Sequence, residues 1–402
     1  MTAIDPSQST GAAFHAGPES GVVELTRTLV SIPSVNPDLE EGGDGEGAIA
    51  RWIAEWLRAW DFQVDLSEPV PGRFNVVARR SAALPGPRVV LDGHLDTVGV
   101  EGMEIAPFQP ELREGRIFGR GSADMKGGLA AMMVAARDLV RSGGPERGEL
   151  LLAFTADEEY ASVGLRALLD QGFTADAAIV CEPTSLEIQP ANKGFTWFEV
   201  EVRGRAAHGS RPELGRDAIR DAGRILAALD RYELRLASQE PHPLLGRGSI
   251  HAGTIRGGTA PPVYPDRCDL VLEARLLPGE SPDEALERFR GIVSEIARDR
   301  PLDVEVRQGL SRPGSEIAQD HSLVRLVESA LKEEGIEPRI SGMTAWVESA
   351  WLTEAGIPAL CFGPGSLDVA HTADESIPVS ELESAVRVLG RVLRSAFSRE
   401  AD

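Results

Sequence analysis

The chain is poor in cysteine and in positive charge, and it has no long apolar run. Cys181, Cys268 and Cys361 are its only 3 cysteines and form no C-x-x-C pair. Such a pattern argues against a zinc–thiolate cluster or a disulfide framework and favours a reducing, cytoplasmic location. The 41 basic residues against 63 acidic ones give a net charge of −22, which argues against nucleic-acid binding. No apolar run approaches the roughly 20 residues of a membrane span, so a membrane partner is not expected either.

The composition indicates a globular protein of two domains. The chain has 402 residues, of which 42% are hydrophobic and 26% are charged. This length is enough for two hydrophobic cores. Residues 1–18 have neither the basic stretch nor the apolar core of a signal peptide, so we expect them to form a disordered leader.

The first candidate metal-binding segment is Val89–Asp96. It begins with an apolar run typical of a buried parallel strand and ends in His94-Leu95-Asp96. The period of 2 along a strand places His94 and Asp96 on the same side. This arrangement suits a metal-binding imidazole held by a carboxylate.

Four further polar clusters follow apolar segments downstream. Taking one candidate ligand from each of the five clusters gives His94, Asp124, Glu159, Glu182 and His371. Two imidazoles and three carboxylates suit a pair of zinc-like ions that share one carboxylate. The sequence therefore predicts a dinuclear metal centre.

Helix-like and strand-like segments alternate up to Pro190, which predicts an α/β sandwich with a mostly parallel central sheet. The candidate ligands follow strands, where open α/β sheets place their sites. After Pro190 the order becomes β-α-β-β-α-β, a small split unit inserted in the larger domain. We expect a catalytic domain of residues 19–190 and 309–402 and an inserted domain of residues 191–308.

Six motifs in combination identify a family. They are Gly93–Val98, Gly121–Gly128, Asp157–Glu159, Glu182–Thr184, Ala207–Ser210 and His371–Glu375. Together they resemble the M20 family of metallopeptidases and deacylases, which includes acetylornithine deacetylase, succinyl-diaminopimelate desuccinylase, aminoacylase and glutamate carboxypeptidase. The resemblance runs from about Val22 to the last helix. It implies a zinc-peptidase-like catalytic domain and an inserted ferredoxin-like βαββαβ domain that serves as lid and dimerisation unit.

The resemblance also assigns the ligands. It implies that Asp124 bridges two Zn²⁺ ions, with Co²⁺ or Mn²⁺ as alternatives. His94 and Glu182 would complete one site, and Glu159 and His371 the other. A cis peptide bond is implied after Asp124.

Two neighbours of these ligands receive catalytic roles from the resemblance. Asp96 would orient His94. Glu158 would be the general base that takes a proton from a metal-bridging water, and the resulting hydroxide would attack an amide carbonyl.

Four further residues are implied to contact the substrate or its transition state. His208 would stabilise the oxyanion, usually in the active site of the partner subunit, which implies a homodimer through the inserted domain. Arg275 would hold a substrate carboxylate, although an exposed strand arginine is an equal alternative. The Gly363 backbone would approach the substrate. Thr344 stands where relatives often carry an acid, so we expect it at the substrate pocket.

Departures from the family pattern leave the substrate open. Pro261-Pro262 replaces a substrate-contacting Asn, and Trp346 and Trp351 add bulk near Thr344. The sequence predicts a hydrolase that cleaves the amide bond of a small carboxylate-bearing molecule, with an N-acyl amino acid as the leading substrate. A dipeptidase or carboxypeptidase and a purine-pathway amidohydrolase are alternatives within the family. A non-catalytic binding protein on this fold would be expected to lack a ligand or the base, and neither is lacking.

Overall fold

The chain divides into two compact units in a computed structural model, which describes residues 16–299 and 301–398. The first unit comprises the described residues up to Pro190, together with Ile317–Ile340 and those from Val347 onward. The second unit comprises Ala191–Glu316 and Ser341–Trp346. Most of the predicted leader, residues 1–15, lies outside the described residues.

The strands and helices are numbered in chain order. The strands are β1 Gln63–Val70, β2 Arg73–Ser81, β3 Arg88–His94, β4 Glu111–Arg113, β5 Arg116–Phe118, β6 Glu149–Thr155, β7 Ala177–Val180, β8 Ala191–Asn192, β9 Gly194–Arg203, β10 Ser249–Gly257, β11 Arg267–Leu276, β12 Val304–Arg312, β13 Ser315–Glu316, β14 Ala359–Cys361 and β15 Ser376–Pro378. The helices are α1 Val22–Val30, α2 Gly47–Arg58, α3 Gly127–Arg141, α4 Val163–Asp170, α5 Ala218–Ala227, α6 Leu229–Ala237, α7 Pro282–Asp299, α8 Ser322–Glu333, α9 Ser349–Glu354 and α10 Val379–Phe397.

The first unit is built on a 6-stranded sheet in the order β1-β2-β6-β3-β7-β14. Strands β6, β3, β7 and β14 are parallel to one another, whereas β1 and β2 pair antiparallel at one edge. Strand β1 was not predicted, because its residues are half-exposed and it carries a proline, which is tolerated at a sheet edge. The predicted mostly parallel sheet is confirmed.

Alternate residues of the central strands pack on different layers, so the sheet is covered on both faces. Val89 and Leu91 of β3 join the large core formed with α1, α2, α3, α8 and α10. Helices α4 and α9 pack against each other, and α9 also packs on β7 and β14. Burial on both faces explains why β3 and β6 read as continuous apolar runs in the sequence.

The second unit is a 4-stranded sheet in the order β10-β11-β9-β12, with every pair antiparallel. Its elements follow the order β9-α5-α6-β10-β11-α7-β12, so the predicted βαββαβ pattern is confirmed, with two consecutive helices in place of the first one. One face of the sheet packs on the helices, as in the stacked pair Phe198 and Phe289. None of the helices within the described ranges is both long enough and apolar enough to span a bilayer.

Candidate metal centre

The carboxyl ends of the parallel strands bring the candidate ligands of the first unit together. His94 is the last residue of β3, and Glu182 follows β7 by two positions. Glu159 lies in the loop that leaves β6, and His371 lies in the loop between β14 and β15. Because parallel neighbours end at one edge of a sheet, these loops converge there.

Asp124 reaches the same place from the turn between β5 and α3. The Asp124–Met125 peptide bond is cis, as the resemblance implies. The turn begins at Gly121, whose φ of 78° is in the left-handed region, and a Cβ there would lie 2.7 Å from Thr97 Cγ2. Glycine is therefore required at this point for both conformation and space.

The Asp124 carboxylate faces one imidazole with each of its oxygens. Its Oδ1 lies 3.0 Å from His94 Nε2, and its Oδ2 lies 3.3 Å from His371 Nε2. Glu159 Oε1 is 3.2 Å from His371 Nε2, and Glu182 Oε1 is 3.9 Å from His94 Nε2. One donor atom each from His94, Asp124 and Glu159 lie within 4.8 Å of one another, close enough to hold one metal ion. Nitrogen and oxygen donors on both sides of one carboxylate fit a pair of divalent ions.

The buried carboxylates of the centre require a positive partner. Burial raises the pKa of Glu182 well above its usual value, and the charge of Asp124 raises it further. Burial likewise raises the pKa of Glu158 well above its usual value, and Glu182 and Glu159 add to the shift. Carboxylates packed this closely are ionised together only when cations neutralise them.

The imidazoles carry that positive charge in the metal-free protein. Burial lowers the pKa of His371, but its hydrogen bonds with Asp124 and Glu159 outweigh this effect and raise the pKa to about 10. Burial also lowers the pKa of His94, but the hydrogen bond with Asp124 and the charge of Glu182 outweigh this effect and raise the pKa well above its usual value. Burial favours the protonated form of Asp124, yet the hydrogen bonds from both imidazoles hold its pKa below the usual range.

Asp96 contacts both His94 and the loop that follows β6. His94 Nδ1 donates a hydrogen bond to the Asp96 backbone carbonyl at 2.9 Å, which leaves Nε2 free for a metal. The Asp96 carboxylate is farther from that nitrogen, at 3.7 Å. It accepts hydrogen bonds from the backbone N–H groups of Glu158 and Glu159 at 3.1 and 3.2 Å. The Asp96 side chain, which was expected to orient His94, therefore holds the loop of the candidate base. The Asp96 backbone carbonyl holds the imidazole instead.

A buried polar network contacts the Asp96 carboxylate through Asn36. Asn36 Nδ2 donates to Asp96 Oδ2 at 2.8 Å and to Asp157 Oδ1 at 2.9 Å. Arg73, whose side chain is 5% exposed, lies 3.0 Å from Asp157 and 2.6 Å from Glu46. Asp157 has a φ of 69°, a conformation that costs a residue of its type about 1–3 kcal/mol and persists only where surrounding contacts hold it.

Glu375 anchors the turn that carries Asp124. Its carboxylate is fully buried and accepts backbone hydrogen bonds from Gly121, Ala123 and Asp124 at 3.0, 2.9 and 3.1 Å. It also forms an ion pair of 2.7 Å with the buried Arg120. The loop of His371 and the turn of Asp124 are therefore tied together through one side chain.

The remaining candidates, His208, Arg275 and Thr344, belong to the second unit. His208 is exposed, and its Nδ1 lies 2.8 Å from Ser210 Oγ. Arg275 on β11 pairs with Glu273 at 2.8 Å and lies over the Phe195 ring. Thr344 is exposed.

Gly363 in the first unit packs against the strand end that carries Glu182. A Cβ at Gly363 would lie 2.5 Å from the Glu182 carbonyl oxygen and 2.6 Å from that of Cys181. Its N–H donates to Thr184 Oγ1 at 3.1 Å, and its carbonyl accepts from the Leu186 N–H at 3.0 Å. The glycine is therefore needed for close backbone packing beside a ligand.

Sequence reasoning overlooked Glu348, Glu375 and Asn36. Glu375 stands within the quoted His371 motif, so its proximity to the centre was available from the sequence. Glu348 is a lone acid in the apolar run from Trp346 to Leu352, and it is fully buried. An acid in such a run is a signal, because a buried carboxylate needs a partner. Asn36 gives no such signal.

Comparisons with known proteins identify the family of the chain. The family model described as peptidase family M20/M25/M40 matches residues 90–395. Acetylornithine deacetylase of Myxococcus xanthus is 32% identical over 330 residues, 80% of this chain and 83% of the relative. N-formyl-4-amino-5-aminomethyl-2-methylpyrimidine deformylase of Halalkalibacterium halodurans is 27% identical over 400 residues, 92% of each chain.

The fold is also that of a solved M20 enzyme. The M20 family metallo-carboxypeptidase Sso-CP2 from Sulfolobus solfataricus superposes with a TM-score of 0.77 at 18% identity, covering 94% of this chain and 99% of that one. The family model spans well over half of the chain, and the Myxococcus xanthus relative exceeds 30% identity over most of both chains. The chain therefore belongs to peptidase family M20/M25/M40, a family of hydrolases.

Proposed function

We propose that this hydrolase cleaves the amide bond of an N-acyl amino acid, with two zinc ions held by His94, Asp124, Glu159, Glu182 and His371. The observation that carries the proposal is the position of Asp124, whose two oxygens face two imidazoles. Each imidazole has a further carboxylate within 4 Å. Cobalt and manganese accept the same donors and are the alternatives to zinc.

The proposed reaction assigns the proton transfers to Glu158. Two divalent ions bound at this centre supply water activation and polarisation of an acyl carbonyl. Glu158 takes a proton from the attacking water as the C–O bond to the acyl carbon forms, and then delivers this proton to the leaving amine as the C–N bond breaks. In the metal-free protein, burial raises the pKa of Glu158 well above its usual value.

We assign the second unit the roles of lid and dimerisation domain. Within it, His208 donates a hydrogen bond to the oxyanion, in the active site of the partner subunit, and Arg275 binds the substrate carboxylate. Replacing His208 by Ala is expected to lower kcat by about 10²–10³-fold, because one oxyanion donor is lost. Full activity of a monomeric preparation in gel filtration at the assay concentration would refute the assignment in trans.

The names of two relatives favour deacylation over peptide hydrolysis. The relatives at 32% and 27% identity are named as a deacetylase and a deformylase, and both names describe removal of an acyl group from nitrogen. The metal ligands and the candidate base are all present in this chain. Peptidases share these ligands, so a dipeptidase or carboxypeptidase is the alternative that the assay must separate.

The deciding experiment is a hydrolysis screen with metal-stripped and zinc-restored protein. The panel holds N-formyl, N-acetyl, N-succinyl and longer N-acyl amino acids beside dipeptides with free amines. Zinc-dependent turnover of the acylated set alone is the expected result. Turnover of the free dipeptides alone would assign the protein as a peptidase, and absence of any zinc-dependent turnover would refute the proposal.

Glu158→Gln tests the base separately from the metal centre. Because the side chain keeps its size and loses its proton acceptor, we expect the zinc content of the wild type and a loss of about 10²–10⁴-fold in kcat. Glu383→Gln on α10, which changes an exposed acid, is the matched control. Normal zinc content with full activity in the Glu158 variant would remove the base from the mechanism.

A cytoplasmic location is part of the proposal. It rests on three cysteines that are unpaired and buried, a pattern that suits a reducing compartment.

A further inference from the structure

Glu348 is a fully buried carboxylate that the proposed reaction does not use. It directly precedes α9 and lies in the same unit as the metal centre. A carboxylate removed from water needs hydrogen-bond donors that replace its hydration. Its donors therefore identify the part of the chain that it holds.

The two oxygens of Glu348 hold the two ends of one loop. Thr155 Oγ1 donates to Oε2 at 2.5 Å, and Ser162 Oγ donates to Oε1 at 2.7 Å. Thr155 is the last residue of β6, and Ser162 directly precedes α4. Residues 156–161 between them include Glu158 and Glu159, so one carboxylate bridges the points where the loop leaves and re-enters regular structure.

The loop needs such a restraint because its backbone is not in a relaxed conformation. Asp157 has a φ of 69° and Ser162 has a φ of 51°, both in the left-handed region that disfavours residues with a side chain. Contacts around the loop must therefore impose its shape. Asp96 and Asn36 do so from one side, and Glu348 does so at the two ends.

Glu158 depends on this restraint more than Glu159 does. Glu159 has His371 at 3.2 Å and, in the proposed centre, a metal ion. In the described part of the chain, no hydrogen bond holds the Glu158 side chain. The position of the candidate base is therefore set by the backbone of the loop.

We propose that Glu348 is a positioning residue for amide hydrolysis, which acts through Thr155 and Ser162 to keep Glu158 beside the metal centre. The inference rests on the proposed function, since the place of Glu158 affects the rate only if Glu158 is the base. Glu348 touches neither the substrate nor the metal in this assignment.

The test compares Ser162→Ala, Thr155→Ser and Glu348→Ala with the wild type. Ser162→Ala removes one of the two ties, and we expect kcat to fall about ten- to hundredfold, because small misplacements of catalytic groups have effects of this size. KM and the zinc content are expected to stay within about twofold of the wild type, since the ligands are untouched. Thr155→Ser keeps the second hydroxyl that donates to Glu348 and should retain most of the rate.

A double variant tests whether the contacts act together. In the Glu348→Ala background, Ser162→Ala should cause little further loss in kcat, because the hydrogen bond between Ser162 and Glu348 is already absent. Thr353→Val is the matched control: it lies on α9, and its buried hydroxyl has no hydrogen-bond partner among the described residues. Independent, multiplying losses would overturn the proposal, as would unchanged kcat in Ser162→Ala or loss of zinc in parallel with the rate.

Hydrogen exchange separates failure of this inference from failure of the proposed function. If the wild type shows no zinc-dependent amide hydrolysis, the proposed function fails. The restraint of the loop by Glu348 is then tested by amide hydrogen exchange at residues 156–162. Faster exchange in Ser162→Ala than in the wild type or Thr353→Val is expected. Equal exchange in all three proteins would overturn the role of Glu348 whatever the activity, and this comparison does not require Glu348→Ala to fold.

Discussion

Replacing Glu375 by Ala should destabilise the first unit severely, even without metal. The carboxylate is fully buried and accepts hydrogen bonds from three backbone N–H groups and from the guanidinium of Arg120. A buried donor left without a partner costs about 1–3 kcal/mol, and breaking a buried ion pair costs about 3–5 kcal/mol. Because water can enter the space left by the side chain and satisfy part of this set, we expect a loss of about 3–5 kcal/mol in the free energy of unfolding.

Urea unfolding in the presence of a chelator measures this loss without the contribution of metal binding. Tryptophan fluorescence is a suitable probe, because Trp52, Trp56, Trp60 and Trp351 lie in the first unit. Glu375→Gln keeps the shape and one acceptor oxygen, so it should lose less stability than the Ala variant. An exposed substitution such as Glu383→Gln should stay within about 0.5 kcal/mol of the wild type. If Glu375→Ala also stayed within that margin, the reasoning from its four hydrogen bonds would be wrong.

Three further perturbations test the centre itself. Zinc binding to the stripped protein at pH 7 should release at least two protons, because the pKa of His371 is about 10 and the pKa values of His94 and Glu182 are well above their usual values, whereas zinc binds neutral imidazole and ionised carboxylate. Calorimetry in buffers of different ionisation enthalpy measures this release, and a buffer-independent enthalpy would contradict it. Because the pKa of His371 is raised on folding, protonated His371 should add to the free energy of unfolding of the metal-free protein. This contribution is fully present below about pH 6.5 and is lost as the pH rises through about 10. Gly363→Ala should lower both the free energy of unfolding and the zinc content, because the new Cβ would lie 2.5 Å from the Glu182 carbonyl oxygen. A denaturation curve measures the first and elemental analysis measures the second. Zinc content equal to that of the wild type would show that the strand end can move.

The parts of the fold that were predictable from the sequence are those with a strong local pattern. Strands β3, β6 and β7 are buried on both faces, so each reads as an apolar run that ends in polar residues. Their parallel order then brings the polar ends to one edge, which is why candidate ligands far apart in the sequence could be grouped before any contact was known. The first helix of the predicted βαββαβ unit was less accurate, because Ala228 separates α5 from α6 without a proline or glycine to mark the break.

The supporting residues were not predictable because their contacts are long-range. Thr155 and Glu348 are 193 residues apart, and Ala123 and Glu375 are 252 residues apart. No periodicity relates positions at such separations. Thr344 was predicted to replace an acid in its segment; it is exposed, and the buried acid of that region is Glu348, four residues later.

Two buried acids near the centre, Asp92 and Glu348, are electrostatically unfavourable in the metal-free protein. Burial and the charge of Glu182 raise the pKa of Asp92 to about 8, and neither of its oxygens has a hydrogen-bond partner among the described residues. Burial also raises the pKa of Glu348 well above its usual value, with the charge of Asp92 adding to it. Apolar side chains at such positions would fold at least as well, since buried charges are weak sources of stability. The charges of Asp92, Glu182 and Glu348 raise the pKa values within this group, so a cation bound beside Glu182 would favour their ionised forms.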